Sequence, residues 1–490
     1  MSSHRDFFIL PFLLLVSAFV LLQEPFAPFA NGDAAYDTGV YLYSADRMLD
    51  GALLYRDVFD HKGPLLHLLN ALGLLIAGRN PVGIWLVDLA CLFSFAAVMY
   101  RTASRLSGRL CGLLAVLYAF AVLSVLEPGA GSQFFALPFM AAALEVFMAQ
   151  QDSGRPFSTG GLALLGGSFT CVLLLQPNLL PIWCVFGAVA GWQMLARGEY
   201  RELARTLAIA AGAALASFLP FLALGVWHGV LDDAVSCYWT FNRQYAHPDP
   251  ATLAAGLRYT LASLWRSNAL IPLGLYLVLL AVRRGRLPRL PLHLALAGSL
   301  LLTTVVSCAL SGRNYPHYAI ALLPLVCLVV GWLLGELQDR WKTGSTALVA
   351  LYLVLSLKPV AWHLYYTYQA YRPAPQAAAV VAYIREHSAP GDRIQVVGND
   401  SQLYFRSGRQ SSSRYHYTTP LFEVPVRGRA MAEEFRGHLA ANRPKLIIVQ
   451  SQHYPVPPPY VADILERYYE KVPLAGSNLS IYRLARTPSG

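Results

Sequence analysis

Charge is what this sequence has little of. Only 13% of its 490 residues are Asp, Glu, Lys or Arg, and 56% are hydrophobic. A soluble domain carries about 25% charged residues, so an ordinary soluble protein of this length is excluded. Cysteine is scarce as well. Cys91, Cys111, Cys171, Cys184, Cys237, Cys308 and Cys327 fall almost entirely inside apolar runs, and the C-terminal region has none. No zinc-type spacing appears and no disulfide framework is implied; these cysteines read as small apolar packing residues. No Gly-x-Gly-x-x-Gly opens a helix after a strand, which excludes a dinucleotide-type phosphate fingerprint. The formal charge of +10 lacks a basic stripe with interleaved aromatics, so nucleic acid is excluded as a partner.

What is present is a series of apolar runs: Phe7–Leu22, Val82–Leu106, Leu110–Leu126, Gln133–Ala149, Leu162–Leu175, Leu179–Leu195, Thr206–Trp227, Ala269–Val282, Leu292–Leu310, Tyr318–Leu337 and Ser345–Leu357. They predict a mainly α fold, a polytopic transmembrane helical bundle of about eleven spans. Basic residues cluster in alternate loops: Arg101, Arg105 and Arg109; Arg155; Arg197, Arg201 and Arg205; Arg283, Arg284, Arg286 and Arg289; Arg340 and Lys342. Those loops, and the N-terminus with Arg5, are therefore expected in the cytoplasm. An odd number of spans puts the C-terminal region outside. The first run lacks a clean cleavage site and reads as an uncleaved helix.

Two regions follow, residues 1–358 in the membrane and 371–490 as a soluble α/β extracytoplasmic domain. The first outer loop, 23–80, carries two amphipathic segments, Thr38–Leu49 and Pro64–Ile76, of the kind that lie in the membrane interface. The fourth, around 229–267, holds Asp232, Asp233, Tyr238, Trp239, Arg243, Tyr245 and His247. In the tail, helices are expected over Gln376–His387, Ala430–Asn442 and Tyr460–Tyr468. Strands are expected over Arg393–Val397, Leu446–Val449 and Leu479–Leu484. Asn399-Asp400-Ser401 and Asn478-Leu479-Ser480 match the glycosylation sequon.

The residues able to carry chemistry lie on the predicted outer side. The first loop reads Asp33, then Tyr36-Asp37-Thr38-Gly39-Val40-Tyr41, then Tyr55-Arg56-Asp57 and Asp60-His61-Lys62-Gly63-Pro64. Asp37 reads as the N-cap of a helix starting at Thr38, or as a working carboxylate, or as both. Asp57 and Asp60 read as partners of Arg56 and Lys62. Pro64 suits the first position of a helix, so Lys62 stands just ahead of a helix N-terminus, a ready anion site. Arg313-Asn314-Tyr315-Pro316-His317-Tyr318 repeats that arrangement; its other reading is interfacial anchoring. Gln176-Pro177-Asn178 opens a further helix and serves either a head group or the freed backbone of a kink. Glu127 is a candidate second carboxylate. Asp88, inside a predicted span, is a costly charge and is expected to pair with a basic or polar group. Glu145 and Glu336 lie toward the cytoplasmic ends.

These residues resemble a family. Asp-x-Gly-x-Tyr, Tyr-Arg-Asp and His-Lys-Gly-Pro in the first outer loop, with Gly-Arg-Asn-Tyr-Pro-His-Tyr later, are similar to the GT-C glycosyltransferases of bacteria. That superfamily includes the protein O-mannosyltransferases of glycosyltransferase family 39 and the lipid A aminoarabinose transferase. The resemblance implies a GT-C fold in the cytoplasmic (inner) membrane. It implies transfer of a sugar from a polyprenyl-phosphate donor to an extracytoplasmic acceptor. The family's acidic residue falls on Asp37 and its lysine on Lys62. Relatives often have Asp-Glu where this chain has Asp37-Thr38, and Lys-Pro-Pro where it has Lys62-Gly63-Pro64. The acceptor and any divalent-cation dependence stay open.

The chemistry expected on this reading is one inverting displacement. Asp37 acts as the base for the acceptor. Lys62, Arg313 and His317 bind the donor phosphate and stabilise its developing charge. Asp33, Tyr41, Arg56, Asp57, His61, Glu127, Asn178 and Tyr318 stand as supporting residues. A transporter or flippase of lipid-linked carbohydrate is the rival; it calls for internal repeats and polar residues at mid-membrane, whereas no repeat is seen and the polar cluster lies at the outer edge. A membrane scaffold presenting the tail would not need the Asp37–Lys62 cluster.

Overall fold

The computed structural model describes residues 3–34, 36–245, 249–283, 290–313, 315–341, 345–372, 374–423, 425–450, 458–472 and 479–485. His247, Arg284, Arg286, Arg289, Asn314, Lys342 and Asn478, named above, lie outside the described residues.

The chain is mainly helical. Through the apolar region run α1 (Ser3–Val20), α2 (Asp37–Leu49), α3 (Pro64–Ile76), α4 (Val82–Ser107), α5 (Arg109–Leu123), α6 (Ser132–Ser153), α7 (Thr159–Leu175), α8 (Pro181–Ala196) and α9 (Tyr200–Trp227). Then come α10 (Leu231–Ala234), α11 (Phe241–Tyr245), α12 (Pro250–Arg266), α13 (Leu270–Arg283), α14 (Leu290–Leu302), α15 (Leu323–Trp341) and α16 (Ser345–Tyr371). Every apolar run of the sequence lies on one of these helices. Apolar side chains on all faces, with backbone groups satisfied inside the helix, are what a hydrocarbon environment demands.

The expected count of about eleven spans is not reached by length and composition. Among the described residues five helices are long and apolar enough to cross a membrane: Val82–Ser107, Ser132–Ser153, Tyr200–Trp227, Leu290–Ala309 and Pro316–Asp339. A sixth is counted if α12 and α13, bent by 106° to each other, form one. The protein is thus a multi-pass membrane protein with several shorter apolar helices, α3, α5, α7 and α8 among them. Small residues set the closest approaches. A Cβ on Gly166 of α7 would lie 2.2 Å from the Ala210 carbonyl of α9, and Thr170 Oγ1 donates to the Ala214 carbonyl at 2.9 Å, a membrane-type seam.

Three details depart from the sequence expectation. The last apolar run does not end near Leu357; α16 continues to Tyr371 and carries Trp362, Tyr365, Tyr366 and Tyr368 with it. Pro316 opens a 3₁₀ turn, Pro316–Leu322, before α15 begins. The segment 229–267, expected as a loop, is mostly helical and includes a π-helical turn, Val235–Thr240.

The C-terminal region adds α17 (Pro375–His387), α18 (Gln402–Ser407), α19 (Pro420–Glu423), α20 (Pro425–Asn442) and α21 (Pro459–Tyr468) to five strands. These are β1 (Arg393–Val397), β2 (Gln410–Ser411), β3 (Leu446–Gln450), β4 (Tyr469–Val472) and β5 (Leu479–Leu484), in sheet order β2-β1-β3-β5-β4. The first three are parallel and the last two antiparallel to their neighbours. Buried strands of Ile, Val and Leu are characteristic of a sheet covered on its faces. The long helices and strands match the sequence reading; β2, β4 and α18 are too short or too polar to have been marked.

This domain is docked on the first loop of the bundle. The Gln402 amide holds Asp33 Oδ1 (2.6 Å), and its carbonyl accepts the Ala34 N–H (2.8 Å). Tyr43 OH accepts from Ser411 N (2.9 Å), and the Phe59 N–H donates to the Arg414 carbonyl (3.0 Å). A Cβ on Gly39 would sit 2.4 Å from the Ala34 carbonyl and 3.0 Å from Gln402 N. The glycine of the Asp-x-Gly-x-Tyr motif is therefore required by the close fold of the loop at Ala34 and fits tightly against the docked Gln402.

Candidate functional site

A cavity of about 1000 Å³ opens where the first loop, the ends of the helices and the C-terminal domain meet. Asp33, Asp37, Thr38 and Tyr41 line it from the first loop. Glu127, Gln133, Arg266 and His317 line it from the bundle, Trp362, Tyr366 and Gln369 from α16, and Asn399 and Thr419 from the C-terminal domain. Its size suits a small organic ligand or a sugar head group.

Asp37 is the first residue of α2, and no side-chain cap is made at this helix start. The capping reading is thus not realised. Among the described residues the carboxylate takes one hydrogen bond, from Tyr41 OH at 3.4 Å, and otherwise faces the cavity. Tyr36 before it has φ 60° and ψ −139°. Tyr55 and Glu127 also have positive φ, 73° and 57°. Such backbone is costly for residues with a Cβ and concentrates at working sites. Glu127 is the second carboxylate of the cavity. Burial raises its carboxyl above the ordinary value, with Arg266 opposing and Asp37 adding to the rise.

The Asp60–Pro64 turn is held on every side. Asp60, 1% exposed, accepts the N–H groups of His61 (2.5 Å) and Lys62 (3.3 Å) on Oδ1. Its Oδ2 lies 3.2 Å from Nε2 of the buried His67 on α3. The cost of burial is outweighed by the His67 hydrogen bond and the nearby charge of Lys62, which hold its carboxyl well below the ordinary range. Tyr55 OH donates to the Lys62 carbonyl (2.8 Å), and Asn242 Nδ2 to that of His61 (2.5 Å). Pro64 opens α3 with Gly63 as its N-cap, as the sequence predicts. A Cβ on Gly63 would fall 1.9 Å from the Leu174 carbonyl, and the Gly63 N–H donates to Leu175 O (3.2 Å). Proline can offer neither the space nor the donor, which accounts for Lys-Gly-Pro in place of Lys-Pro-Pro. Burial pushes His61 down to about 4, so it is neutral near pH 7.

Asp37 and Lys62 are both within electrostatic range of His317, which lines the cavity with Asp37. Arg313 lies over the Tyr245 ring at 4.8 Å, and Tyr245 packs on His61 and Phe241. Tyr318 is buried against His317 and Tyr315. Among the described residues no group of three or more His, Cys, Asp and Glu side chains is arranged to hold a metal ion.

No protein-family model and no curated protein matches the sequence. Solved structures do match. ArnT from Cupriavidus metallidurans bound to undecaprenyl phosphate aligns with a TM-score of 0.65 at 14% identity, covering 100% of both chains. The apo form of that protein gives 0.61 at 14% identity over 98% of both. An Archaeoglobus fulgidus oligosaccharyltransferase tethered to an acceptor peptide with an NVT sequon gives 0.50 at 10% identity, over 98% of this chain and 74% of that one. The chain has the GT-C fold.

Within this GT-C fold some expected residues lie elsewhere. Arg56 and Asp57 do not line the cavity. They pair with each other at 3.5 Å and border a separate polar cleft against the C-terminal domain. Asp57 also accepts the Leu53 N–H at 2.8 Å, which makes it a turn residue. Asn178 takes the backbone role, its Nδ2 reaching Ser307 O at 3.4 Å while Ser307 Oγ donates to Asn178 O at 2.5 Å. Asn399 of the first sequon lines the cavity, and its N–H donates to Gln450 Oε1 within the C-terminal domain at 2.5 Å. Among the described residues Asp88 does not pair with a base. Its neighbour is the carboxyl of Glu24, which burial and Asp88 together raise. Glu145 is held by Arg101, Arg105 and Thr102.

Sequence reasoning missed His67, Arg266, Asn242 and Tyr417. None has a local pattern that marks it; Arg266, Asn242 and Tyr417 reach the site from distant parts of the chain, and His67 from the face of α3 turned toward Asp60. Asn242 and Tyr245 sat in a loop already marked for its polar content.

Proposed function

We propose that this protein is an integral membrane glycosyltransferase. It moves a sugar from a polyprenyl-phosphate-linked donor to an extracytoplasmic acceptor by inverting displacement. The observation that carries this reading is a cavity in a GT-C fold with Asp37 and His317 on its wall and the tightly held Lys62 turn within electrostatic range of that histidine. The ArnT neighbour binds undecaprenyl phosphate, which supports a carrier of that class here.

Asp37 accepts the proton of the acceptor hydroxyl or amine as its heteroatom bonds to the anomeric carbon. The bond from that carbon to the phosphate oxygen breaks, and the carrier phosphate leaves with the electron pair. Lys62, His317 and Arg313 stabilise the charge that develops there. Glu127, beside Arg266, supplies the second carboxylate of the acceptor side, and Tyr41 orients Asp37. In this reading about eleven helices, short ones included, house the carrier's apolar chain. The N-terminus is cytoplasmic, and the domain at 371–490 covers the cavity from outside the cytoplasmic membrane. The test is purified protein in proteoliposomes supplied with radiolabelled polyprenyl-phosphate sugars and envelope lipid or glycan acceptors. Label should pass to an acceptor. Carrier movement without transfer, or neither, would exclude the enzyme reading.

A further inference from the structure

We propose that Tyr417, on the C-terminal domain, is a positioning residue for Lys62, acting through the buried carboxylate of Asp60. The proposal rests on the functional reading above only in giving Lys62 to the donor phosphate. Tyr417 OH donates to Asp60 Oδ1 at 3.1 Å and lies 3.3 Å from His61 Nδ1. Asp60 Oδ1 is the same oxygen that takes the backbone N–H groups of His61 and Lys62. A phenol from a different domain therefore closes the hydrogen-bond shell of the turn that carries the lysine.

Its placement is not incidental. Tyr417 is buried and leans on Phe59 and His416. Thr418 next to it donates its N–H to the Gly398 carbonyl (2.9 Å), and its hydroxyl accepts the Gly398 N–H (2.9 Å). The buried His416 before it contacts Ser401 Oγ (2.9 Å) and Ser44 Oγ (3.3 Å), bridging the domain to α2. The segment is therefore set by domain docking, and Tyr417 passes that setting to Asp60. A buried carboxylate that loses one donor bears the full desolvation cost of the vacated lone pair. The backbone of the turn is what it can move to recover it.

Tyr417→Phe keeps the ring and removes only the hydroxyl. Hydrogen–deuterium exchange of the full-length protein in lipid nanodiscs reads the His61 and Lys62 amides directly. Exchange there should rise at least about tenfold, with the melting temperature little changed. In the proteoliposome assay kcat should fall about 10- to 100-fold, with the acceptor KM unaffected. Asp60→Asn combined with Tyr417→Phe should be no worse than the poorer single variant. Tyr482→Phe, in β5, serves as the control and should change neither reading. Unchanged exchange at residues 61 and 62 overturns the proposal, whether or not the wild type transfers sugar. Additive losses in the double variant also overturn it. A wild type that transfers no sugar defeats the enzyme reading instead, and the exchange result still decides the link from Tyr417 to the turn.

Discussion

The two ends of the first loop are built in opposite ways. At Asp37 the side chain is partly exposed, caps nothing, and faces a cavity with one hydrogen bond at 3.4 Å. At Lys62 the neighbouring backbone is fixed by Asp60, Tyr55, Asn242 and the end of α7. The difference follows the chemistry each end is proposed to perform. A base must reach a substrate proton and release it again, so it needs room. A charge stabiliser works best when its geometry is fixed beforehand, because no reorganisation is then needed as the charge develops.

That contrast gives four ways to break it. The largest effect is expected for Asp37→Asn, which should lower transfer by about 10³-fold or more, in the range of a lost general base. The melting temperature should stay where it is. A parallel fall in stability would mean that Asp37 is held as firmly as Lys62. Next, Lys62→Ala should cost roughly 10²- to 10³-fold in kcat, comparable to removing one oxyanion donor, with the acceptor KM unchanged.

Gly63→Ala should act on both fold and function. The added Cβ meets the Leu174 carbonyl at 1.9 Å, so the turn or the end of α7 must shift, at about 1–3 kcal/mol. Thermal unfolding in detergent checks the first part and transfer rate the second; wild-type behaviour in both would mean the turn is not rigid.

The smallest and most gradual effect is with pH. His61 and His416 are held neutral by burial, at about 4 and about 3 against an ordinary 6.5. The unfolded chain therefore binds more protons than the folded one below about pH 6.5. Stability is complete above that pH. It falls as pH drops through the window toward 4, by roughly 1.4 kcal/mol per pH unit per histidine. Asp60, held below the ordinary aspartate value, adds a loss of the same sign at still lower pH. Melting curves from pH 7.5 to 4.5 check this, and His61→Gln should flatten them.

The sequence made the helices legible because apolar runs and proline starts are local signals. Pro64 opening α3 and Asp37 opening α2 follow from neighbours a few residues away. What holds the site was not legible. Tyr417 meets Asp60 from 357 positions along the chain, and Asn242 meets His61 from 181. No periodicity registers such encounters. The neighbour of Asp88 was hidden for another reason: a charge in a span calls for a cation, and here the buried Glu24 carboxyl is the nearby group. At Asn178 the sequence leaves two readings open, because a polar residue at a helix start looks alike whether it serves a substrate or a backbone carbonyl such as that of Ser307.

One rod joins the bundle to the cavity wall. α16 runs from Ser345 to Tyr371 without a break and puts Trp362, Tyr366 and Gln369 on the lining. At 1.5 Å per residue such a helix is about 40 Å long, so a tilt of about 5° at one end sweeps the other through about 3 Å. Pro359 lies inside this helix, and proline is a usual cause of helix kinks, so a bend there would move Trp362, Tyr366 and Gln369 together and change the aperture facing Asp37.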